Sequence, residues 1–414
     1  MSLDSILGNT FLVPDPVELS KDPAFSSVIG PFLRFRSIFE NVFSISILLV
    51  SKAPLVVKVN EESLQYKVLD TFKGYTFYKY LIDSKMTMER QIVEYTVYLQ
   101  SEQKTLHFNV PSKDENLRFA FYSCAGLSLG VDSNKLGGYS PLFQDLLQEH
   151  KSNPFHVIVG GGDQIYNDAV LDIPVLATWK KKSRKKQIKF AMTVDMTSRI
   201  DNFYFNNYSQ HFMRDQIRTV LGSIPSINQA DDHDIFNGFG SFTEEYTHSE
   251  VIQGILKCAK RFYYLFQLHS TPEQPDALIK HSNFFTQLGP NQALVAIDTR
   301  SERTITQVCS QETYELIFNE LDNLQSTIKH VIVVVGIPLI FPSVKRSEHL
   351  GNLFNVNEND MSDLRDQWSA KGHRHEKLNF IVKCQDLAKK KSIRFTFLSG
   401  DSHCIFNSYR LWCW

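Results

Sequence analysis

Cysteine is scarce in this chain and shows no regular spacing. Six cysteines occur in 414 residues, and no two of them form the Cys-x-x-Cys pair of common zinc and redox motifs. Small secreted domains that rely on disulfides are shorter and much richer in cysteine. We therefore expect the chain to fold around a hydrophobic core and not around a disulfide framework.

Long hydrophobic runs are also lacking. The longest are Phe43–Val50 and His330–Pro342, both well short of the ~20 residues that a membrane-spanning helix needs. The segment Met1–Asp22 has neither a basic start nor an apolar centre, so no signal peptide is expected. The sequence favours a cytoplasmic protein without a transmembrane segment, and it leaves peripheral membrane contact open.

No charge of one sign dominates the chain. Lys and Arg number 44 against 45 for Asp and Glu, and the formal net charge is −1. This balance gives no general electrostatic reason to expect a nucleic-acid partner. The basic run Lys180–Lys186 is a local exception, typical of a nuclear-import signal, an anionic-lipid patch or a solvated surface. We favour the solvated surface.

Aromatic residues are plentiful, which excludes a chain that is disordered throughout. The sequence contains 31 Phe and 16 Tyr. Residues 30–112 include several short segments dense in aromatic and β-branched residues, which predict a small β-sandwich-like module. The mostly polar segment Val110–Asn116 is a candidate linker. We expect an N-terminal β-rich module at 1–115 and a second domain at 116–414.

The pattern changes after residue 116, where short apolar runs alternate with helical patterns. The predicted strands are Arg118–Ser123, Phe155–Val159, Ala293–Ile297, His330–Val335 and Arg394–Leu398. A helix is predicted to begin at Pro141, with Leu142, Phe143, Leu146 and Leu147 as its apolar face. This alternation predicts an α/β fold with its sheet covered on both faces.

Polar residues gather where these strands end and in one acidic cluster. The segments are Ser123–Gly126, Gly160–Asp168, Asp231–Asp234, Asp298–Arg303 and Ser399–His403. Sites in α/β sheets form outside the carboxyl ends of the strands, so these segments are expected to meet in one crevice. Their carboxylates, phenol, thiol and imidazoles are metal-ligand types. Adjacent acids in Asp231–Asp234 would repel one another in a half-buried crevice, and bound cations would remove that cost. We therefore predict a site for more than one metal ion.

In order and spacing, these segments resemble the PhoD-type alkaline phosphatases, and in particular a fungal PhoD-like branch. The resemblance rests on Phe121–Cys124, Gly161–Asp168, Asp231–Asp234, Asp298–Arg300 and Ser399–His403, with Gly238–Ser241 also similar. It extends from Phe119 to His403, about 70% of the chain. It implies an α/β fold of the metallophosphoesterase type, a two-sheet αββα sandwich in which two facing sheets are flanked by helices.

The resemblance also implies a multinuclear centre that holds iron and calcium. Cys124 and Tyr166 correspond to the thiolate and phenolate ligands of a trivalent iron. Asp163 corresponds to a carboxylate that bridges metals. Other divalent metals suit the same kinds of ligand.

The remaining implied ligands come from the acidic cluster and from the last strand. Asp232 is the main ligand of its cluster, with Asp231 or Asn237 as a companion; Asn237 could equally be a turn residue. Asp401 and His403 would complete the site. The resemblance thus implies ligands from at least four separate parts of the chain.

The activity that the resemblance implies is the hydrolysis of phosphate esters. A metal-activated hydroxide would attack phosphorus in line with the leaving group. His233 and Arg300 would stabilise charge on the transferred phosphoryl group, and His233 could also protonate the leaving alkoxide. The expected substrate is a phosphate monoester or diester.

Several of these residues also have ordinary structural interpretations. Cys124 could be a buried core thiol, and Asp231–Asp234 could be a solvated acidic turn. Arg300 could simply pair with Asp298 or Glu302. The last eleven residues do not resemble the continuation of the family pattern. They favour, as the alternative, a catalytically silent PhoD-like protein that acts through binding.

Overall fold

The computed structural model describes residues 27–100, 102–126, 132, 135, 138–276, 278–340 and 366–401. Its strands are β1 (Ile29–Phe39), β2 (Val42–Ser51), β3 (Val56–Val59), β4 (Glu62–Ser63), β5 (Tyr66–Phe72), β6 (Tyr75–Lys85), β7 (Gln91–Leu99), β8 (Glu102–Val110), β9 (Phe119–Tyr122), β10 (Val157–Gly161), β11 (Ser226–Gln229), β12 (Phe284–Gln287), β13 (Gln292–Ile297), β14 (His330–Val335) and β15 (Arg394–Leu398). Its α-helices are α1 (Pro141–Ser152), α2 (Ala177–Lys180), α3 (Arg184–Ile188), α4 (Val194–Phe212), α5 (Asp215–Ser223), α6 (Glu244–Thr247), α7 (Glu250–Leu268), α8 (Gln311–Asp322) and α9 (Arg374–Lys391). Short 3₁₀ helices lie at Asp168–Asp172, Pro174–Leu176 and Asp232–Asp234.

The largest sheet contains seven strands in the order β5-β6-β2-β1-β11-β10-β9. Its N-terminal strands pair antiparallel, whereas β9, β10 and β11 pair parallel. The two groups meet where β1 runs parallel to β11, with Arg34 opposite Ser226. The N-terminal strands therefore extend the sheet that carries the later segments, while a domain boundary at 115 stays a prediction.

The other two sheets have four strands each, in the orders β12-β13-β14-β15 and β4-β3-β7-β8. Strands β13, β14 and β15 run parallel, and β12 is an antiparallel edge strand. The segment Val331–Val335 of β14 is buried throughout, as expected for a parallel strand covered on both faces. The protein thus has a mixed α/β fold with several sheets.

A shared hydrophobic cluster joins the seven-stranded sheet to the β12–β15 sheet. Val159 and Ile227 of the first sheet belong to it together with Leu294 of the second. Neighbouring Val295 belongs instead to a cluster with Ile317 of α8, because successive side chains of a strand point to opposite faces. The β12–β15 sheet therefore contacts the larger sheet on one face and helices on the other.

Helices α4 and α7 cover part of the largest sheet with an aromatic core. Helix α4 begins where the Thr193 side chain accepts a hydrogen bond from the Met196 N–H at 3.2 Å, a standard N-cap. On α7, Phe266 is 2% exposed. Its ring contacts those of Phe32, Phe77, Phe205, Tyr208 and Phe212. Within the described residues, no helix combines the length and the apolar character needed to cross a membrane.

The predicted strands after residue 116 are confirmed, with small shifts at their ends. His330–Val335 and Arg394–Leu398 occur with the predicted bounds. The strand predicted at Phe155–Val159 instead spans Val157–Gly161. This shift extends β10 into the glycines that precede the polar segment.

Helix α1 begins at the predicted Pro141, but one residue of its predicted apolar face is wrong. Leu142 is 78% exposed. Phe143, Leu146 and Leu147 pack instead against buried residues of β10 and α5. These three residues follow the three-and-four spacing of one helix face, and Leu142 lies one position outside it.

We expect Phe266→Ala to lower the free energy of unfolding by about 3–5 kcal/mol, because it leaves a cavity in the aromatic core. Denaturant unfolding of the variant and the parent protein measures the difference. Leu142→Ala is the control, and its exposed position predicts a change within about 0.5 kcal/mol. Equal losses in the two variants would contradict the central position of Phe266.

Candidate metal centre

Three predicted ligands lie two or three residues after the end of a parallel strand. All three have an uncommon left-handed backbone conformation. Cys124 after β9, Asp163 after β10 and Asp401 after β15 have φ angles of 53°, 58° and 65°. Such left-handed conformations cost a non-glycine residue about 1–3 kcal/mol, so the surrounding structure must stabilise them. Their recurrence at three strand ends marks this edge of the fold as a candidate site.

Backbone hydrogen bonds stabilise two of these turns against each other. The N–H of Cys124 donates to the carbonyl oxygen of Gly162 at 3.1 Å. The N–H of Ala125 donates to the carbonyl oxygen of Asp163 at 2.8 Å. The loops after β9 and β10 are therefore fixed relative to each other.

Asp234 connects two parts of the site through hydrogen bonds. Its Oδ2 accepts hydrogen bonds from the backbone N–H groups of Asp163 and Asp231, both at 2.9 Å. Its Oδ1 accepts from Nε2 of Gln267 at 2.9 Å. Burial raises the pKa of Asp234 to about 7, although these hydrogen bonds oppose the shift. Asp234 thus joins the β10 loop to the acidic cluster.

The acids that face the crevice form two overlapping groups. One group consists of Asp163, Asp232 and His233, and the other of Asp231, Asp232 and Asp401. Within each group, the potential ligand atoms lie within 4.8 Å of one another. Because Asp232 belongs to both groups, the geometry offers two adjacent cation positions with one shared carboxylate.

Burial and mutual repulsion disfavour the charged forms of these carboxyl groups. Burial, followed by the charges of Asp231 and Asp232, raises the pKa of Asp163 well above its ordinary value. Burial and the charge of Asp231 do the same to Asp401. Burial raises the pKa of Asp231 to about 6, even though Arg300 lowers it. Cations in the crevice would reverse these shifts.

The predicted sulfur and phenol ligands border the same group. Cys124 Sγ lies 3.5 Å from Oδ2 of Asp163. Tyr166 packs against Gly126, where an added Cβ would lie 2.4 Å from the Tyr166 ring. The rings of Tyr166 and His233 are 4.2 Å apart. Burial and the charge of Asp163 raise the pKa of Cys124 to about 12, so deprotonation of this thiol requires a nearby cation.

Arg300 is buried, and its side chain is directed at carboxylates. Its guanidinium forms ion pairs with Asp231, Asp232 and Asp366, at 3.3 Å for Asp232 and 2.7 Å for Asp366. Only its backbone N–H contacts Asp298, at 3.0 Å. The side chain of Arg300 therefore does not form the alternative ion pair with Asp298 or Glu302. Arg300 neutralises part of the negative charge of the crevice.

His233 lies between Tyr166 and Asp168 and is a charged group. Its Nδ1 lies 2.8 Å from the carboxylate oxygens of Asp168. Burial lowers the pKa of His233, but the hydrogen bond to Asp168 and the charges of Asp232 and Asp163 outweigh it and raise the value to about 10. The imidazole is thus protonated at neutral pH in the absence of metal, which suits proton donation. Metal ligation would require it to lose that proton.

Two predicted ligands are not placed at the crevice by the described contacts. Asn237 is exposed, and its backbone N–H donates to Oδ1 of Asp168 at 2.7 Å. His403 lies outside the residues that the structure describes. Their roles as ligands stay predictions.

The sequence predicts no ligand or catalytic role for Asp366 or Gln367, although Asp366–Trp368 resembles a family segment at the substrate entrance. Asp366 is 3% exposed and forms an ion pair with Arg300. Gln367 donates from Nε2 to Oδ2 of Asp401 at 2.8 Å. Neither residue follows a predicted strand. The expectation that site residues follow the carboxyl ends of strands therefore could not identify them.

Gly336 was also missed, although the strand-end rule applies to it. It directly follows β14, and a Cβ at this position would lie 2.5 Å from Oδ1 of Asp231. The N–H of Gly400 donates to its carbonyl oxygen at 2.9 Å. A side chain is excluded here because Asp231 occupies the space.

We expect Gly336→Ala to weaken metal binding about tenfold or more, because the new methyl group must displace Asp231. Metal content after dialysis against a weak chelator measures the loss. Gly222→Ala in α5 is the control, since its nearest neighbour is a leucine methyl group at 3.2 Å. Unchanged metal content in Gly336→Ala would show that Asp231 does not contribute.

Glu302, from the polar segment after β13, stabilises the start of α8. Its Oε2 accepts from the Ser310 N–H and from Oγ1 of Thr313, both at 2.8 Å. Lys280 forms an ion pair with it at 2.9 Å. Burial raises the pKa of Glu302, but these partners together lower it to about 2. Its folded-state pKa therefore lies below the ordinary value of 4.5.

A depressed folded-state pKa means that Glu302 stabilises the fold above pH 4.5 and loses this effect as the pH falls toward about 2. We expect Glu302→Gln to cost about 1–2 kcal/mol at pH 7, an amount reduced by solvent screening. The cost should shrink steadily between pH 4.5 and pH 2. Urea unfolding of both proteins across this range measures it, and a constant difference would contradict the ionic role.

The chain is similar in sequence and in fold to known proteins. An uncharacterized protein of Saccharomyces cerevisiae is 30% identical over 413 residues, which cover 84% of this chain and 58% of the relative. The chain thus spans a little over half the length of that relative. The solved structure of PhoD superposes with a TM-score of 0.57 at 13% sequence identity, covering 91% of this chain and 72% of PhoD. This likeness shows a shared fold.

A sequence profile of the PhoD related phosphatase family matches residues 85–361 and 354–409. The match includes every strand end of the crevice, from β9 to β15. On this match, the chain belongs to the PhoD related phosphatase family.

Proposed function

We propose that this protein is a metal-dependent phosphoric ester hydrolase. The observation that supports it best is the pair of overlapping ligand groups sharing Asp232, at the strand ends of a chain that belongs to a phosphatase family. Two adjacent cations are what hydrolysis of a phosphate ester uses to stabilise the attacking and leaving oxygens. The proposed substrate is accordingly a phosphate monoester or diester.

The donor set suits cations. Asp231 Oδ2 is buried and has no hydrogen-bond partner among the described residues, which a bound ion would supply. Asp163, Asp231 and Asp232 are each at most 5% exposed, so their charges need local compensation. Arg300 provides only part of it.

The two ligand groups differ in chemistry, and this difference supports two kinds of metal. Cys124 and Tyr166 both interact with Asp163, and the resemblance to the PhoD-type phosphatases implies iron for a thiolate and a phenolate. The group that contains Asp231 and Asp401 offers only carboxylates, which suit calcium or another hard divalent ion. Asp232, which belongs to both groups, would help to hold both ions, and the bridging role of Asp163 stays a prediction.

We also propose that the fold is a metallophosphoesterase-like αββα sandwich. Its support is the hydrophobic cluster in which the seven-stranded sheet faces the β12–β15 sheet, with α8 and α9 on the outer face of the β12–β15 sheet and α4 and α7 on that of the seven-stranded sheet. In this arrangement the carboxyl ends of β9, β10 and β15 deliver ligands to one crevice.

When bound, the metal ions would supply an activated hydroxide and neutralise charge on the phosphoryl oxygens. The residues of the chain would position and protonate the substrate. We propose that His233, whose Nδ1 lies 2.8 Å from Asp168, donates a proton to the leaving alkoxide and does not itself bind a metal. Arg300 keeps Asp231 and Asp232 in place, and we propose that it adds positive charge beneath the phosphoryl group.

The test compares the parent protein with Asp232→Asn and with the control Asp386→Asn, whose side chain is exposed on α9. Loss of the shared carboxylate is expected to reduce bound metal and to lower kcat/KM at least about 100-fold, because both cation positions lose a ligand. Metal content by mass spectrometry and release of nitrophenol from mono- and diester substrates measure the two effects.

Asp386→Asn should retain both metal and activity. A parent protein with neither bound metal nor turnover would refute the hydrolase and support the catalytically silent alternative. Equal activity in the parent and Asp232→Asn would show that the activity comes from elsewhere. The ratio of mono- to diester turnover decides the substrate preference.

A further inference from the structure

Residues 180–189, called the basic face from here on, contain seven lysines and arginines among ten residues. The basic face spans the end of α2 and the whole of α3. Lys181, Lys185, Lys186 and Lys189 are exposed. Among the residues that the structure describes, none of these four lysines forms an ion pair or a side-chain hydrogen bond. Their charges therefore point to solvent without a partner from the protein.

The basic face has a fixed shape, because two buried side chains join α2 to α3. Trp179 is 2% exposed, and Gln187 is buried with it. Nε1 of Trp179 donates to the carbonyl oxygen of Gln187, and Nε2 of Gln187 donates to the carbonyl oxygen of Trp179, both at 3.3 Å. The Trp179 ring also stacks on the ring of Tyr246 in α6. These contacts hold the lysines together on one surface.

The lysines of α3 repel one another. Lys185 and Lys189 are four positions apart, and Lys186 and Lys189 are three apart, with Lys189 directly after the last helical residue. Side chains at these spacings are neighbours on a helix, and like charges there are destabilising. A negatively charged surface would offset this repulsion.

Four acids near the basic face balance part of its charge. Asp172 forms an ion pair with Lys180. Glu244, Glu245 and Glu250 are exposed at the starts of α6 and α7, which both contact α3. The seven cations still exceed these acids by three. The basic face thus keeps a positive charge in a chain whose formal net charge is −1.

We propose that the basic face docks this protein on the surface of a bilayer that contains anionic lipid. Clusters of about four to eight lysines and arginines are attracted to such surfaces. Val194, five residues beyond the face, is 87% exposed, and an apolar side chain can enter the headgroup region. Trp179 and Tyr246 are buried, so neither ring can stack on nucleic-acid bases. A membrane therefore fits this surface better than a nucleic acid does.

A short 3₁₀ helix connects the basic face with the candidate metal centre. At its start, Asp168 lies 2.8 Å from Nδ1 of His233, and at its end Asp172 pairs with Lys180. Four positions of a 3₁₀ helix span about 8 Å. Docking through the basic face would bring the crevice near the membrane surface. The docking itself does not rest on the proposed function, because no residue of the crevice takes part in it.

The test measures co-sedimentation of the full chain with vesicles of phosphatidylcholine that contain about one third phosphatidylserine, and with vesicles of phosphatidylcholine alone. The parent protein should bind the first kind, less tightly as the salt concentration rises. The triple variant Lys181→Gln, Lys185→Gln and Lys186→Gln should bind about 100-fold more weakly, since each lysine contributes roughly fivefold. Lys189→Gln alone should bind about fivefold more weakly.

The control variant replaces Lys85, Lys113 and Lys151, three exposed lysines outside the basic face, with glutamine. Its net charge changes by the same amount, and its binding should equal that of the parent. Asp232→Asn should also bind like the parent, so that failure of the proposed function and failure of docking give different results. Circular dichroism verifies that each variant is folded.

Three outcomes would overturn the proposal. A parent protein that binds neither kind of vesicle, or both equally, would show that the basic face is only a solvated surface. Equal binding by the two triple variants would show that another surface docks. Tighter binding of the parent to a short DNA duplex than to the anionic vesicles would assign the basic face to nucleic acid.

Discussion

The site depends on an excess of buried negative charge at one edge of the fold. Five aspartates are at most 5% exposed there: Asp163, Asp231, Asp232, Asp234 and Asp366. The buried guanidiniums of Arg300 and Arg303 balance only part of this charge. Uncompensated buried charge costs several kcal/mol per ion, roughly. The surrounding turns, hydrogen bonds and close contacts together keep these carboxylates in place despite that cost.

The acids divide into two kinds according to their partners. Asp234 and Asp366 are saturated by hydrogen bonds and ion pairs from the protein. Asp163, Asp232 and Asp401 also have protein partners, but their oxygens in addition lie close together within the two groups that could hold cations. The first kind organises the loops, which allows the second kind to stay close together. Rigid support of this sort is what a preorganised catalytic site requires.

The strand ends could be predicted because they depend on local pattern alone. Short apolar runs followed by polar residues located β9, β10 and β15, and with them Cys124, Asp163 and Asp401. The partners of Arg300 could not be predicted, because its contact with Asp366 spans 66 residues. The pairing of β1 with β11 is equally remote in sequence. Such contacts follow from packing of the whole chain, and one sequence carries no local signal for them.

The parallel pairing of β1 with β11 has a consequence for how the protein tolerates change. Strand β11 carries the acidic cluster at its carboxyl end, and β1 fixes its position from the side opposite β10. A displacement of β1, or of its antiparallel neighbour β2, would move Asp231 and Asp232 without any substitution in the crevice itself. Substitutions in β1 and β2 can therefore alter the chemistry of a centre that lies about two hundred residues further along the chain.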